Sequence, residues 1–245
     1  MNRPDEGFEG IAASARHLGA DFFGVADLTP PHVLAHVVSQ SGEQGLAQYG
    51  RAVSIGIAQA GGIVDFLPKA LQADDPVVAY LYESHIYNIL VPRLDAIALH
   101  VASILQRQGH RVIPVPGRLS EGRLPHSGFL SHKLAAHLAG LGWIGKSCLL
   151  VTPQVGPRVM WATVLTTAPL QAGEPMEERC GACRECVDIC PAEAFTGRTF
   201  VESEPREARM SAERCHAFRD ERAKVLGRRT CSMCLYICPH GRRPT

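Results

Sequence analysis

Cys180, Cys183, Cys186 and Cys190 run as C-x-x-C-x-x-C-x-x-x-C, and Pro191 follows at once. No other feature constrains the chain as strongly. Two-residue gaps let three thiolates converge on three corners of one 4Fe-4S cube, while the longer gap and the proline turn the fourth cysteine towards a neighbouring cluster. Cys215 stands alone, and after fifteen residues Cys231, Cys234 and Cys238 close a second half that ends in Pro239. By the crossed ligation of two-cluster ferredoxins, cluster one falls to Cys180, Cys183, Cys186 and Cys238. Cluster two falls to Cys190, Cys215, Cys231 and Cys234. A chain built this way moves single electrons.

Structural zinc and disulfides are the rival uses of such cysteines. Zinc also takes C-x-x-C pairs, but it needs no interleaved half-motifs and no C-P endings. Disulfides would call for an oxidising compartment, and the start MNRPDEGFEG has neither an apolar core nor a twin-arginine pair, so a cytoplasmic location is expected. Cys148, the ninth cysteine, lies in the apolar run C-L-L-V and reads as a buried, inert thiol.

A chain of 245 residues with 46% hydrophobic content buries far more core than a ferredoxin module requires, so a larger domain is expected to precede the cysteines. Its net charge of +1 makes no global case for nucleic acid, and no apolar run has the length of a membrane span. Charge is uneven, however. Residues 206–245 hold ten Lys or Arg against four acids. Each oxidised four-thiolate cluster carries a formal charge of about −2, so this surplus is expected to offset the cubes and to dock an acidic electron donor, with a nucleic-acid patch as the alternative.

The N-terminal part alternates helix-like and strand-like pieces. Apolar spacing predicts a helix over 11–18, strands over 21–26 and 53–58, and a long helical run over 77–108 with Pro92 as kink or break. Strands at 111–115, 147–151 and 158–166 and a helix at 130–139 follow, and the polar, proline-containing stretch 169–178 reads as a hinge. Gly140-Leu-Gly-Trp-Ile-Gly-Lys-Ser147 satisfies both G-x-G-x-x-G and G-x-x-x-x-G-K-S. Both phosphate-binding motifs need a strand before and a helix after; here a helix comes first and a strand follows, so the glycines are read as a turn that lets backbone approach a flat or bulky partner.

The stretch S-G-F-L-S-H-K-L-A-A-H-L-A-G-L-G-W-I-G-K, a strand ending T-T-A-P-L and the split cysteine array together resemble the epoxyqueuosine reductase family, which in turn resembles the catalytic parts of reductive dehalogenases. The resemblance implies an α+β chain: a nitroreductase-like α/β domain over 1–168 that binds cobalamin and substrate, then a ferredoxin-like double 4Fe-4S domain over 169–245. It further implies a relay from a low-potential donor such as a ferredoxin or flavodoxin, through the two clusters, to a corrinoid that reduces a small or nucleoside-like substrate. Gly140, Gly142, Trp143, Gly145 and Lys146 become the expected cofactor-binding residues.

Two departures bear on this. Family members commonly continue into a HEAT-like repeat domain used on tRNA, whereas this chain stops at Thr245, which weakens tRNA as a partner. Where the family has a proton-donating Asp before Ser, fourteen residues ahead of the first glycine, this chain has His126 before Ser127. An imidazole that titrates near neutrality can take over the role of proton donor. Two readings therefore stand: a corrinoid-dependent reductase, and an electron-transfer or cofactor-reactivating protein with no substrate conversion of its own.

Overall fold

The structure, a computed structural model, describes residues 7–33, 46, 48–117 and 131–242; His126 lies outside them. Its contacts divide the chain into two compact units, each assembled from separate stretches: Met1–Ile57, Val91–Leu141 and Met160–Met176 in one, Ala58–Leu90, Gly142–Val159 and Glu177–Thr245 in the other.

The first unit is mixed α/β. Helix α1 (Phe8–His17) ends where Gly19 turns left-handed at φ 99°, and β1 (Phe22–Asp27) and β2 (Arg51–Ala58) pair antiparallel with Val25 opposite Val53. The sheet continues through β6 (Val159–Thr166) to β3 (Val112–Val115) at its edge, in the order β1-β2-β6-β3. Pro114 sits in that edge strand, the place in a sheet where a residue without an N–H does least harm. Helix α5 (Val91–Arg107) packs on α1 and β3. Its Leu94, Ile97, Ala98, Val101 and Leu105 recur at helical spacing and are all buried. Helix α6 (His132–Leu138), capped by the Ser131 hydroxyl, packs on β1.

The second unit opens with the short helices α2 (Gly61–Asp65), α3 (Leu67–Gln72) and α4 (Pro76–Ser84). Asp75 caps α4, accepting from the amides of Val77 and Val78, and Ala70, Ala79 and Leu226 form a small core beside it. The hairpin β4 (Trp143–Ile144) and β5 (Leu150–Val151) follows, then the cysteine-bearing segment with α7 (Glu185–Asp188), α8 (Ala212–Leu226) and α9 (Met233–Tyr236).

Pro92 does not break the helical run. A π turn at His85–Leu90 precedes it, and the helix carries on from Pro76 to Arg107. Proline lacks the N–H for the carbonyl four residues back and its ring crowds that carbonyl, so a wider turn just ahead relieves both defects. By length and by the mean hydropathy of 1.4 of its most apolar window this run is long and apolar enough to cross a membrane, contrary to the sequence expectation, but half of that window is buried in the fold.

His132 shows how burial settles a protonation state. Its Nε2 lies 3.0 Å from the Pro116 carbonyl, which can only accept, so Nε2 carries the proton and Nδ1 accepts from the Thr163 hydroxyl at 2.8 Å. Burial lowers its pKa, as it lowers that of His85, whose Nε2 accepts from the Ala60 amide at 3.1 Å. Below pH 6.5 an unfolded histidine takes a proton that these two resist, so their contribution is complete above that pH and is lost as the pH falls below it. Urea unfolding of the loaded protein should show stability falling as the pH drops below 6.5, by up to about 1.4 kcal/mol per pH unit for each histidine. His132→Gln should flatten part of that slope.

Candidate iron-sulfur centre

The cysteine segment is built of tight turns, which present thiols at short spacing. The Cys183 amide donates to the Cys180 carbonyl at 2.9 Å, one turn of α7 carries Cys186, and the Cys190 amide donates to Val187. Ser211 caps α8, accepting from the Arg214 amide, and so places Cys215 in the first turn of that helix. Gly227, at φ 67°, ends α8 and sends the chain to Cys231, Cys234 on α9, and Cys238.

The eight thiols fall into two electrostatic neighbourhoods. Cys186 feels Cys180, Cys238 and Cys183; Cys234 feels Cys231, Cys215 and Cys190, with Cys186 behind them. These are the two groups that the crossed spacing predicts. Burial first, and mutual repulsion second, pushes the Cys186 thiol up to about 12. Burial and the same kind of repulsion push Cys231 and Cys238 up to about 11, against backbone hydrogen bonds that pull the other way, and raise Cys234 further. Burial first and repulsion second disfavour bare thiolates here, so a cation held by the sulfurs would favour loss of their protons. All nine cysteines are free of disulfides, and no three His, Cys, Asp or Glu groups among the described residues form a site for a single metal ion.

Cys148 stands apart from both groups. It is buried at φ 55°, with the Arg209 guanidinium 3.8 Å from its sulfur.

The glycine segment supports this same region. Gly140 ends α6 at φ 73°, and a Cβ there would lie 2.6 Å from the Glu174 carbonyl oxygen. At Gly142 a Cβ would lie 2.3 Å from the carbonyl oxygen of Val151, its neighbour across the β4–β5 hairpin, and at Gly145 it would meet the Val151 side chain and, at 3.3 Å, the Cys180 sulfur. Trp143 is buried, edge-on to the His240 ring at 4.9 Å. Lys146 donates to the carbonyls of Gly181 at 2.6 Å and Cys183 at 3.1 Å. The close approaches that demand glycine are thus met by the chain's own backbone, and the lysine of G-K-S holds the cysteine loop. A strand, not a helix, follows this turn, so neither phosphate-binding motif is formed.

Part of the basic surplus after residue 205 is offset within the chain, since Asp74 and Glu185 come from outside that stretch. Arg222 pairs with Asp74, Arg229 with Asp220, Lys224 with Glu221 and Arg242 with Glu185. Arg219 donates to the Arg229 carbonyl and stabilises the thiolate forms of Cys215 and Cys231. Sequence reading missed Arg158, a buried cation that pairs with Asp65 at 2.9 Å and leans on Gly241 just beyond Cys238. No local motif marks it.

Protein purified without oxygen should carry about eight irons and eight sulfides per chain, as two cubes require. Cys186→Ser should lose about half of that iron, whereas Cys148→Ser should keep it; zinc in place of iron would overturn the assignment. Gly142→Val should unfold the hairpin or cost more than about 2 kcal/mol, because a backbone carbonyl occupies the place of its side chain. Thermal unfolding reads this directly.

Residues 179–241 match the family model described as a 4Fe-4S double cluster binding domain. Among curated relatives, the epoxyqueuosine reductase of Bacillus anthracis is 32% identical over 114 residues, covering 46% of this chain and 30% of the relative. That of Pseudomonas aeruginosa is 31% identical over 146 residues, covering 58% and 40%. The chain therefore aligns with well under half of the length of these relatives. An epoxyqueuosine reductase solved with an epoxyqueuosine-modified tRNA-Tyr stem loop superposes with a TM-score of 0.61 at 21% identity, over 96% of this chain and 65% of that one. A catabolic reductive dehalogenase solved with 3-bromo-4-hydroxybenzoic acid gives 0.67 at 23% identity, over 99% and 33%. At those identities the likeness is one of fold. The chain is thus similar in sequence to part of the epoxyqueuosine reductases, and its residues 179–241 match a 4Fe-4S double cluster binding domain.

Proposed function

We propose that this protein is a reductase that relays single electrons from a low-potential ferredoxin or flavodoxin through two 4Fe-4S clusters to a corrinoid, and so reduces a small or nucleoside-like substrate. The observation that carries the reading is the grouping of eight thiols into two neighbourhoods within the double-cluster segment. In this reading Cys180, Cys183, Cys186 and Cys238 hold one cube, and Cys190, Cys215, Cys231 and Cys234 the other. Cys186 is also felt by Cys234, so the two groups adjoin and an electron has a short way between them.

Cobalamin enters through the likeness to epoxyqueuosine reductases and reductive dehalogenases, and when bound it would supply the reducing centre for substrate. At Gly140, Gly142 and Gly145 the place of a side chain is taken by Glu174, Val151 and the cysteine loop, so the need for glycine there is met within the chain. What remains for the chain's own residues is protonation, and His126, the imidazole standing where the family has an acid, is the proposed donor to the reduced substrate.

One residue also favours the second reading, a carrier that reduces a cofactor or partner: the exchange of Asp for His126. Anaerobic gel filtration with hydroxocobalamin should show corrin co-eluting with iron, and the reduced protein should then convert an epoxyqueuosine nucleoside or stem loop. His126→Ala should cut turnover by about a hundredfold to ten-thousandfold while cluster reduction proceeds normally, and His126→Asp should restore part of it. Turnover unchanged in His126→Ala would remove that residue from the mechanism; no corrin and no turnover in the wild type would leave the carrier.

A further inference from the structure

Trp143 is 1% exposed, yet no hydrogen bond of standard geometry satisfies its indole Nε1. Its ring is held by residues that flank two cysteines of one group: His240, next but one to Cys238, meets it at 82°, and the Arg179 guanidinium, beside Cys180, lies 5.7 Å from its centre. The turn that carries it lies against Cys180: a Cβ on Gly145, two residues on, would come within 3.3 Å of the Cys180 sulfur. A thiol is a weak acceptor and an iron-bound thiolate a strong one, so the orphaned indole N–H fits a loaded cluster. On the same turn Lys146 holds its ammonium against the carbonyls of Gly181 and Cys183, inside the loop that joins two ligands of that cube.

We propose that the turn Trp143–Lys146 is a redox-tuning element: the Trp143 indole N–H hydrogen-bonds the Cys180 thiolate, the Lys146 ammonium adds positive charge, and the cube held by Cys180, Cys183, Cys186 and Cys238 takes up its electron at a higher potential as a result. The inference rests on the two-cluster reading. One electron from the donor converts that cube from its 2+ to its 1+ core; no bond to Cys180 forms or breaks and no proton moves. The added negative charge spreads over the sulfurs, and hydrogen bonds to those sulfurs stabilise the reduced state more than the oxidised one. Trp143 and Lys146 are in this sense positioning residues for charge.

Trp143→Phe keeps a ring against His240 and deletes the N–H. Holo-protein should be titrated with dithionite under anaerobic conditions and followed by EPR. With iron and sulfide unchanged, one of the two cubes should become about tenfold harder to reduce, a shift of about 59 mV for a one-electron couple, while the other stays put. Lys146→Met should move the same cube in the same direction. Wild-type protein labelled with 15N-indole tryptophan should also show hyperfine coupling between an indole nitrogen and a reduced cube, and this measurement decides the matter if Trp143→Phe fails to load. Loaded Trp143→Phe with both potentials unmoved, or no nitrogen coupling in the wild type, would overturn the inference. A wild-type protein without two cubes would sink the underlying two-cluster reading instead.

Discussion

Repulsion among buried sulfurs is the constraint on which the cysteine-bearing unit depends. Thiols raised by burial and by one another, to about 12 at Cys186 and about 11 at Cys231 and Cys238, are a poor set of anions and a good set of ligands, because each gains a cation on losing its proton. Binding free energy of that kind is folding free energy, since no unfolded chain holds the ligands together. The segment has little apolar core of its own: α8 buries only Leu226, and α7 buries nothing. Iron does there what packing does elsewhere.

What surrounds the thiols serves the same electrostatics. Arg219 favours the thiolates of Cys215 and Cys231, and the Lys146 ammonium is pinned to the loop between Cys180 and Cys183. Other cations are neutralised locally by Asp74, Asp220, Glu221 and Glu185. A basic count read along the chain therefore overstates the field offered to an acidic partner, because surface pairs of this kind cancel charge while adding little stability.

The first unit is of another kind, a sheet and helices held by apolar burial. Here periodicity was a sound guide: the strands β1, β2, β3 and β6 and the helices α1, α5 and α6 lie within a few residues of where alternation and helical spacing put them. The stretch 147–151 was less legible. Only Leu150–Val151 is strand, and it pairs with Trp143–Ile144, two residues hidden inside what reads as a glycine-rich turn. Pro92 was legible as a defect but not as a solved one, because a π turn is set by which faces must be buried on either side of it.

By itself the sequence determined the chemistry of the cysteines. Ligand spacing is a local property of the backbone, and eight thiols at these intervals fall into two crossed groups, each half of the array lending one thiol to the other. It also ruled out the phosphate-binding motifs through the order of helix and strand. Only tertiary structure decided what the glycines and Lys146 are for. Gly142 is glycine because a carbonyl across a hairpin fills the place of its side chain, and Lys146 reaches the Gly181 carbonyl, 35 residues on. Contacts of that range follow from packing rather than periodicity, so nothing short of the folded chain could bring the turn that carries the buried Trp143 against Cys180.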